Sequence, residues 1–167
     1  MNLYNRKSII FKKTYYILIF LTVLISDLGS KQLIINYFSL YECKIIFPIF
    51  NFFYINNYGG IFGIFSDGKT WQYWFFIILS ITAIIIIFKI IHFSIKCNLN
   101  NHLSYVLIIS GAVSNLLDRV LHGFIVDFID LHVQNWHFAT FNIADISIFI
   151  GSILLLKSEQ LSSTNKK

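Results

Sequence analysis

Charged residues are what this sequence has least of: Asp, Glu, Lys and Arg make up 13% of its 167 residues, against 56% hydrophobic. That balance holds more apolar material than one water-soluble core of this size needs, which argues for a membrane protein. Proline occurs once and alanine is sparse, while isoleucine and phenylalanine abound. Coding bias can contribute to such a skew, so the positions of the charges carry more weight than hydropathy alone. Cysteine is nearly absent as well. Cys43 and Cys97 stand far apart and match no metal-ligand spacing, and the topology argued below puts them on opposite sides of the bilayer, so no disulfide is expected between them. Internal repeats and flexible linkers are also missing.

A further absence concerns processing. The basic N-terminus and the apolar run after it resemble a secretory signal, but no small-residue cleavage site follows, and Asp27 and Lys31 interrupt the segment. An uncleaved first span is the expectation. Cys43 follows Tyr41 and Glu42 rather than the small apolar residues of a lipoprotein cleavage box, so the chain does not read as a lipoprotein itself.

A helix needs about 20 residues to cross about 30 Å of hydrocarbon, and four segments come close: 14–36, 71–88, 103–121 and 141–156. Arg6, Lys7, Lys12 and Lys13 precede the first, Lys89 and Lys96 lie between the second and third, and Lys157, Lys166 and Lys167 follow the fourth. By the positive-inside rule both termini are cytoplasmic. Of the acidic residues only Glu159 is then cytoplasmic; the others lie toward the outer side. The net charge of +5 is not a nucleic-acid signal, because the basic residues sit in short clusters beside apolar runs, where lipid headgroups account for them.

Between the first two spans, residues 36–70 alternate aromatic and β-branched residues with turn formers, which predicts a small extracytoplasmic sheet on the membrane surface. Trp71, Tyr73 and Trp74 suit an outer aromatic belt. The predicted fold is a mainly α membrane protein of four transmembrane helices with that sheet between helices 1 and 2, forming one domain over 1–167.

Carboxylates within such spans need partners, because a central aspartate is about 3 kcal/mol uphill on insertion scales. Asp27 and Lys31, spaced i, i+4 with the acid first, can neutralise each other on one helix face or leave the lysine to snorkel outward. Asp145 falls well below the outer boundary. The third span ends in SNLLDRVLHGFIVDFID, with Asn115, Asp118, Arg119, Asp127 and Asp130 in quick succession. For Asp118 an ion pair at the helix end is the expectation; Asp127, inside the apolar FIVDFI, is harder to explain structurally. Two carboxylates brought to one cavity from different segments are what aspartic proteolysis requires: held close, they share a proton, so one activates water while the other polarises a carbonyl.

These residues resemble lipoprotein signal peptidase, the signal peptidase II family. The likeness runs through DLGSK (Asp27 to Lys31), NYGGIF (Asn57 to Phe62), SNLLDR (Ser114 to Arg119), GFIVD (Gly123 to Asp127) and FNIAD (Phe141 to Asp145), in order and between correctly placed spans. The resemblance implies a membrane-embedded aspartic endopeptidase of the bacterial cytoplasmic (inner) membrane, its site toward the extracytoplasmic side. It would cut prolipoproteins on the N-terminal side of a diacylglyceryl-modified cysteine. Asp127 and Asp145 match the catalytic aspartates; Asn57, Gly59, Asn115, Arg119 and Asn142 match positions that surround the dyad and hold substrate; Asp27 and Lys31 match a supporting pair in the first span. Membrane lipids and modified prolipoproteins are the expected partners, a monomer the expected state, and neither metal nor cofactor is called for. Gly60, Ile61 and Ser114 depart from the family pattern, which bears on pocket shape rather than on the dyad.

Three other readings are weaker. Gly123, Asp127 and Asp130 match part of the aspartate-rich motif of CDP-alcohol phosphatidyltransferases, but its first half is missing. His122, His132 and His137 lack tight ligand spacing for zinc. A proton-coupled transporter using Asp27 and Asp145 would need polar inner halves in its spans, and these are apolar.

Overall fold

Long apolar runs with hardly a proline can satisfy their backbone in hydrocarbon only by closing hydrogen bonds within each segment, that is, as helices. The computed structural model describes residues 3–59, 70–96 and 102–164. Among them the chain forms α1 (Leu3–Tyr37), β1 (Cys43–Phe47), β2 (Phe50–Asn57), α2 (Thr70–Lys96), α3 (His102–His122), β3 (Ile125–Val133), β4 (Trp136–His137) and α4 (Ile143–Thr164). The stretches Lys13–Tyr37, Thr70–Phe93 and His102–His122 are each long and apolar enough to cross a membrane. Gly60, Ile61 and Cys97, singled out above, lie outside the described residues, while Cys43 is exposed with a free thiol.

The molecule is inverted relative to a soluble protein. Ile17, Leu18, Ile25, Ile78, Leu79 and Phe88 face outward, whereas Asp27, Lys31, Ser110, Ser114, Asp118 and Asn142 are almost wholly enclosed. Apolar side chains gain nothing from each other that lipid tails do not also offer, so small and polar residues hold the helices together. α3 is the centre of this arrangement, packing against α1, α2 and α4, with Ser104, Ser110, Ser114, Asn115 and Asp118 on its buried face. It ends at Gly123, whose N–H bonds the Arg119 carbonyl at 2.9 Å and whose φ of 85° suits a residue without a Cβ.

The sheet is larger than the expected one between the first two helices. β1 and β2 form the anticipated hairpin, but β3 and β4, from the connection between α3 and α4, extend it into a four-stranded antiparallel sheet of order β1-β2-β3-β4. The reason β3 escapes a sequence reading is its burial: Ile125, Val126, Asp127 and Phe128 are all enclosed, so the strand carries no alternation of apolar and polar residues. Val126 and Phe128 pack with Ile34 of α1 and Tyr54 of β2 in an apolar cluster that fixes the sheet onto one end of the helices. Because β2 and β3 pair with Ile55 opposite Asp127 and Asn57 opposite Ile125, an asparagine and an aspartate from distant parts of the chain become neighbours.

Candidate active site

Asp127 projects from β3 and is 3% exposed. Each of its oxygens accepts from an amide: Asn142 Nδ2 reaches Oδ1 at 2.7 Å and Asn57 Nδ2 reaches Oδ2 at 2.9 Å. Asn57 is itself oriented, because its Oδ1 accepts the N–H of Gly59 at 3.0 Å, and the Gly59 carbonyl accepts from Arg119 Nη2 at 3.1 Å. Arg119, lying against the Phe76 ring at 5.3 Å, therefore acts on Asp127 through the 57–59 turn. Burial, and after it the negative charge of Asp145, push the Asp127 carboxyl up to about 7, against the opposing pull of its two amide donors and of Lys31.

Asp145 sits in the first turn of α4 and is less enclosed than Asp127. It forms a capping box with Asn142: the Asp145 N–H donates to Asn142 Oδ1 at 2.9 Å, and Asp145 Oδ2 accepts the Asn142 N–H at 3.2 Å. Oδ1 of Asp145 accepts from Asn115 Nδ2 at 2.8 Å. One asparagine thus serves both acids, since Asn142 caps the helix that carries Asp145 with its carbonyl oxygen and donates to Asp127 with its amide nitrogen. The orientation of Asn115 is fixed in the same way. Its Oδ1 accepts from Lys31 Nζ at 2.8 Å and from Asn142 Nδ2 at 3.2 Å, which turns its nitrogen toward Asp145.

Beneath this pair lies a charged cluster. Lys31 is 1% exposed, so it does not snorkel. Its ammonium is 2.6 Å from Asp27 Oδ2 and 3.0 Å from Asp118 Oδ2, and with Asn115 these partners use all three of its protons. Asp27 does more than pair with it. Oδ2 accepts from Ser114 Oγ at 2.7 Å, and Oδ1 accepts the backbone N–H of Ala144 at 2.7 Å, so α1 supplies a carboxylate to the positive N-terminus of α4. The first turn of α4 is capped twice, once from within and once from α1.

Asp118 is where the helix-end expectation fails. It is fully enclosed, bonded to Lys31 and to the Val126 N–H at 3.1 Å, and 3.4 Å from His122 Nδ1. It ties α1, α3 and β3 together. Its spacing of three residues from Asn115, which places both on one helix face, was the available signal. Asp130 takes a separate course: its carboxylate accepts from Asn51 Nδ2 at 2.9 Å and lies 2.9 Å from His137 Nδ1, with His132 stacked on the His137 ring. Of the residues expected to form one site, Asp127, Asp145, Asn57, Gly59, Asn115, Arg119, Asn142, Asp27 and Lys31 all join a single hydrogen-bond network. Each carboxylate oxygen of Asp127 and Asp145 has a donor in this network.

Comparison with known proteins adds an independent line. Residues 19–159 match the family model for signal peptidase (SPase) II. The lipoprotein signal peptidase of Buchnera aphidicola subsp. Acyrthosiphon pisum (strain APS) is 47% identical over 154 residues, covering 92% of this chain and 94% of that protein. That of Klebsiella aerogenes is 42% identical over 161 residues, covering 96% and 98%. A solved structure described as a bacterial membrane enzyme superposes with a TM-score of 0.79 at 34% identity, covering 92% of each chain.

Proposed function

The chain belongs to the signal peptidase II family, and from that premise we propose that it removes signal peptides from prolipoproteins by aspartic proteolysis, with Asp127 and Asp145 as the catalytic pair. The observation that carries this reading is the position of Asn142, which hydrogen-bonds the Asp127 carboxylate and caps Asp145 at once. Such an arrangement holds two carboxylates in one polar pocket, where each disfavours ionisation of the other.

In the reaction, Asp127 keeps the shared proton, as its burial favours, and the less enclosed Asp145 is ionised. Asp145 takes a proton from water, whose oxygen bonds to the scissile carbonyl carbon, while Asp127 gives its proton to the carbonyl oxygen. The tetrahedral diol collapses as the C–N bond breaks and the departing nitrogen accepts the proton from Asp145. One diol hydroxyl returns a proton to Asp127. Asn57, Asn115 and Asn142 hold the carboxylates still through this exchange, and Arg119 keeps the turn at Gly59 in place beside the peptide.

Four crossings with both termini cytoplasmic fit the charge pattern, the apolar part of α4 being the shortest and ending at Leu156 just before Lys157. The dyad then faces the extracytoplasmic side of the bacterial inner membrane, where the substrate is a prolipoprotein cut ahead of its diacylglyceryl-modified cysteine, handled by a monomer within the lipid. The test is cleavage of a diacylglyceryl-modified peptide beside its unmodified twin by the purified protein. Strong preference for the modified peptide is expected; equal cutting would rule out the substrate class.

A further inference from the structure

α3 and α4 meet through glycine and serine rather than through leucine. A Cβ added to Gly111 would fall 2.3 Å from the Ala144 carbonyl oxygen, 3.2 Å from the Ala144 carbonyl carbon and 2.8 Å from Ile148 Cγ1. The first two atoms are backbone, in the turn of α4 that carries Asp145, so no side-chain rotation relieves the contact. Gly151 provides a second close approach between the same helices, where a Cβ would meet the Ser104 carbonyl oxygen and Ile108 Cγ1 at 2.8 Å and the Ile108 nitrogen at 3.1 Å. By contrast, Gly29 on α1 has nothing within 4 Å of such a position.

The two contacts differ in what they adjoin. Gly151 lies almost two turns beyond Asp145 on α4. Gly111 lies one turn before Asn115 on α3 and touches Ala144, whose N–H is held from the opposite side by Asp27 at 2.7 Å. The first turn of α4 is therefore seated between a carboxylate of α1 and a missing side chain of α3.

We propose that Gly111 is a positioning residue for the reaction, its bare Cα letting the first turn of α4 settle deep enough to bring Asp145 onto Asn115 and into register with Asp127. A methyl at this point requires Ala144 to retreat by about 1 Å before ordinary contact is restored, a displacement of the size that costs about 100-fold in rate when it separates reacting groups. The inference rests on Asp145 being half of the dyad.

The experiment compares Gly111→Ala, Gly151→Ala and Asp145→Asn, purified in detergent and shown to be folded by thermal unfolding. Each is assayed for kcat, KM and the pH–rate profile on a diacylglyceryl-modified peptide. For Gly111→Ala, kcat falls about 100-fold with KM within about threefold. The high-pH limb of its profile moves toward lower pH, because retreat of Asp145 weakens its repulsion of Asp127 while Lys31 and Arg119, the cations facing Asp127 from α1 and α3, stay in place. Gly151→Ala loses thermal stability to a similar degree but keeps kcat within about threefold and an unshifted profile. If Gly111→Ala does not fold, the double variant Gly111→Ala/Ile148→Ala removes the side-chain half of the clash and must still show the kcat deficit and the shifted limb. Wild-type kcat and profile in the folded variant would overturn the proposal, as would matching losses in both glycine variants with unshifted profiles. An active Asp145→Asn would instead overturn the reading of the dyad on which it rests.

Discussion

Asp127 accepts hydrogen bonds at both oxygens, which favours its charged form, yet burial and the charge of Asp145 outweigh them and raise its carboxyl to about 7. The proton is therefore present below that pH and lost above it, leaving two like charges and no acid to polarise the substrate. kcat/KM should fall about tenfold per pH unit above about 7, measured as initial rates on a modified peptide between pH 5 and 9; a profile flat to pH 9 would remove Asp127 from the acid role. Lys31 gives a second prediction. Its removal in Lys31→Met leaves Asp27 buried without a counter-charge and Asp118 with His122 alone beside it, at a cost of about 3–5 kcal/mol, read as a lowered unfolding midpoint in detergent. The pairing of Asp27 with Lys31 was legible from their spacing, and the two candidate catalytic acids from their isolation in apolar sequence. Asp118 was not, because a charge beside Arg119 at a helix end looks like a surface ion pair until Lys31 arrives from 87 positions earlier in the chain.

At the level of elements, the first turn of α4 decides the geometry. Asn142 does two jobs that substitution can separate. Asn142→Asp keeps an oxygen to cap the Asp145 N–H, so the helix start survives, but it replaces a donor to Asp127 with a third carboxylate. Activity should drop at least about 100-fold with the unfolding midpoint within a few degrees of wild type, whereas equal loss of both would mean that the cap is the residue's main contribution. The motif FNIAD carried this turn in plain view, since an asparagine three residues before an acid is a helix-start pattern. The strand β3 was hidden for the opposite reason. Enclosed on both faces from Ile125 to Phe128, it lacks the period of two that marks a half-exposed strand, and its partner β2 lies some 70 residues earlier.

Across the whole molecule, the same physics that exposes isoleucine and phenylalanine also conceals the charges, as expected where lipid replaces water as the solvent. The proposed orientation puts the sheet outside. In a Cys97→Ser variant, Cys43, exposed on β1, should react with a membrane-impermeant maleimide added to spheroplasts and stay unlabelled in inverted vesicles; the reverse pattern would invert the topology. The paired action of Asp127 and Asp145 is tested most directly by purifying Asp127→Asn and Asp145→Asn, verifying that each is folded, and following cleavage of a diacylglyceryl-modified prolipoprotein by gel. Neither variant should process the substrate at more than about one-thousandth of the wild-type rate. Full processing by either one would contradict the account.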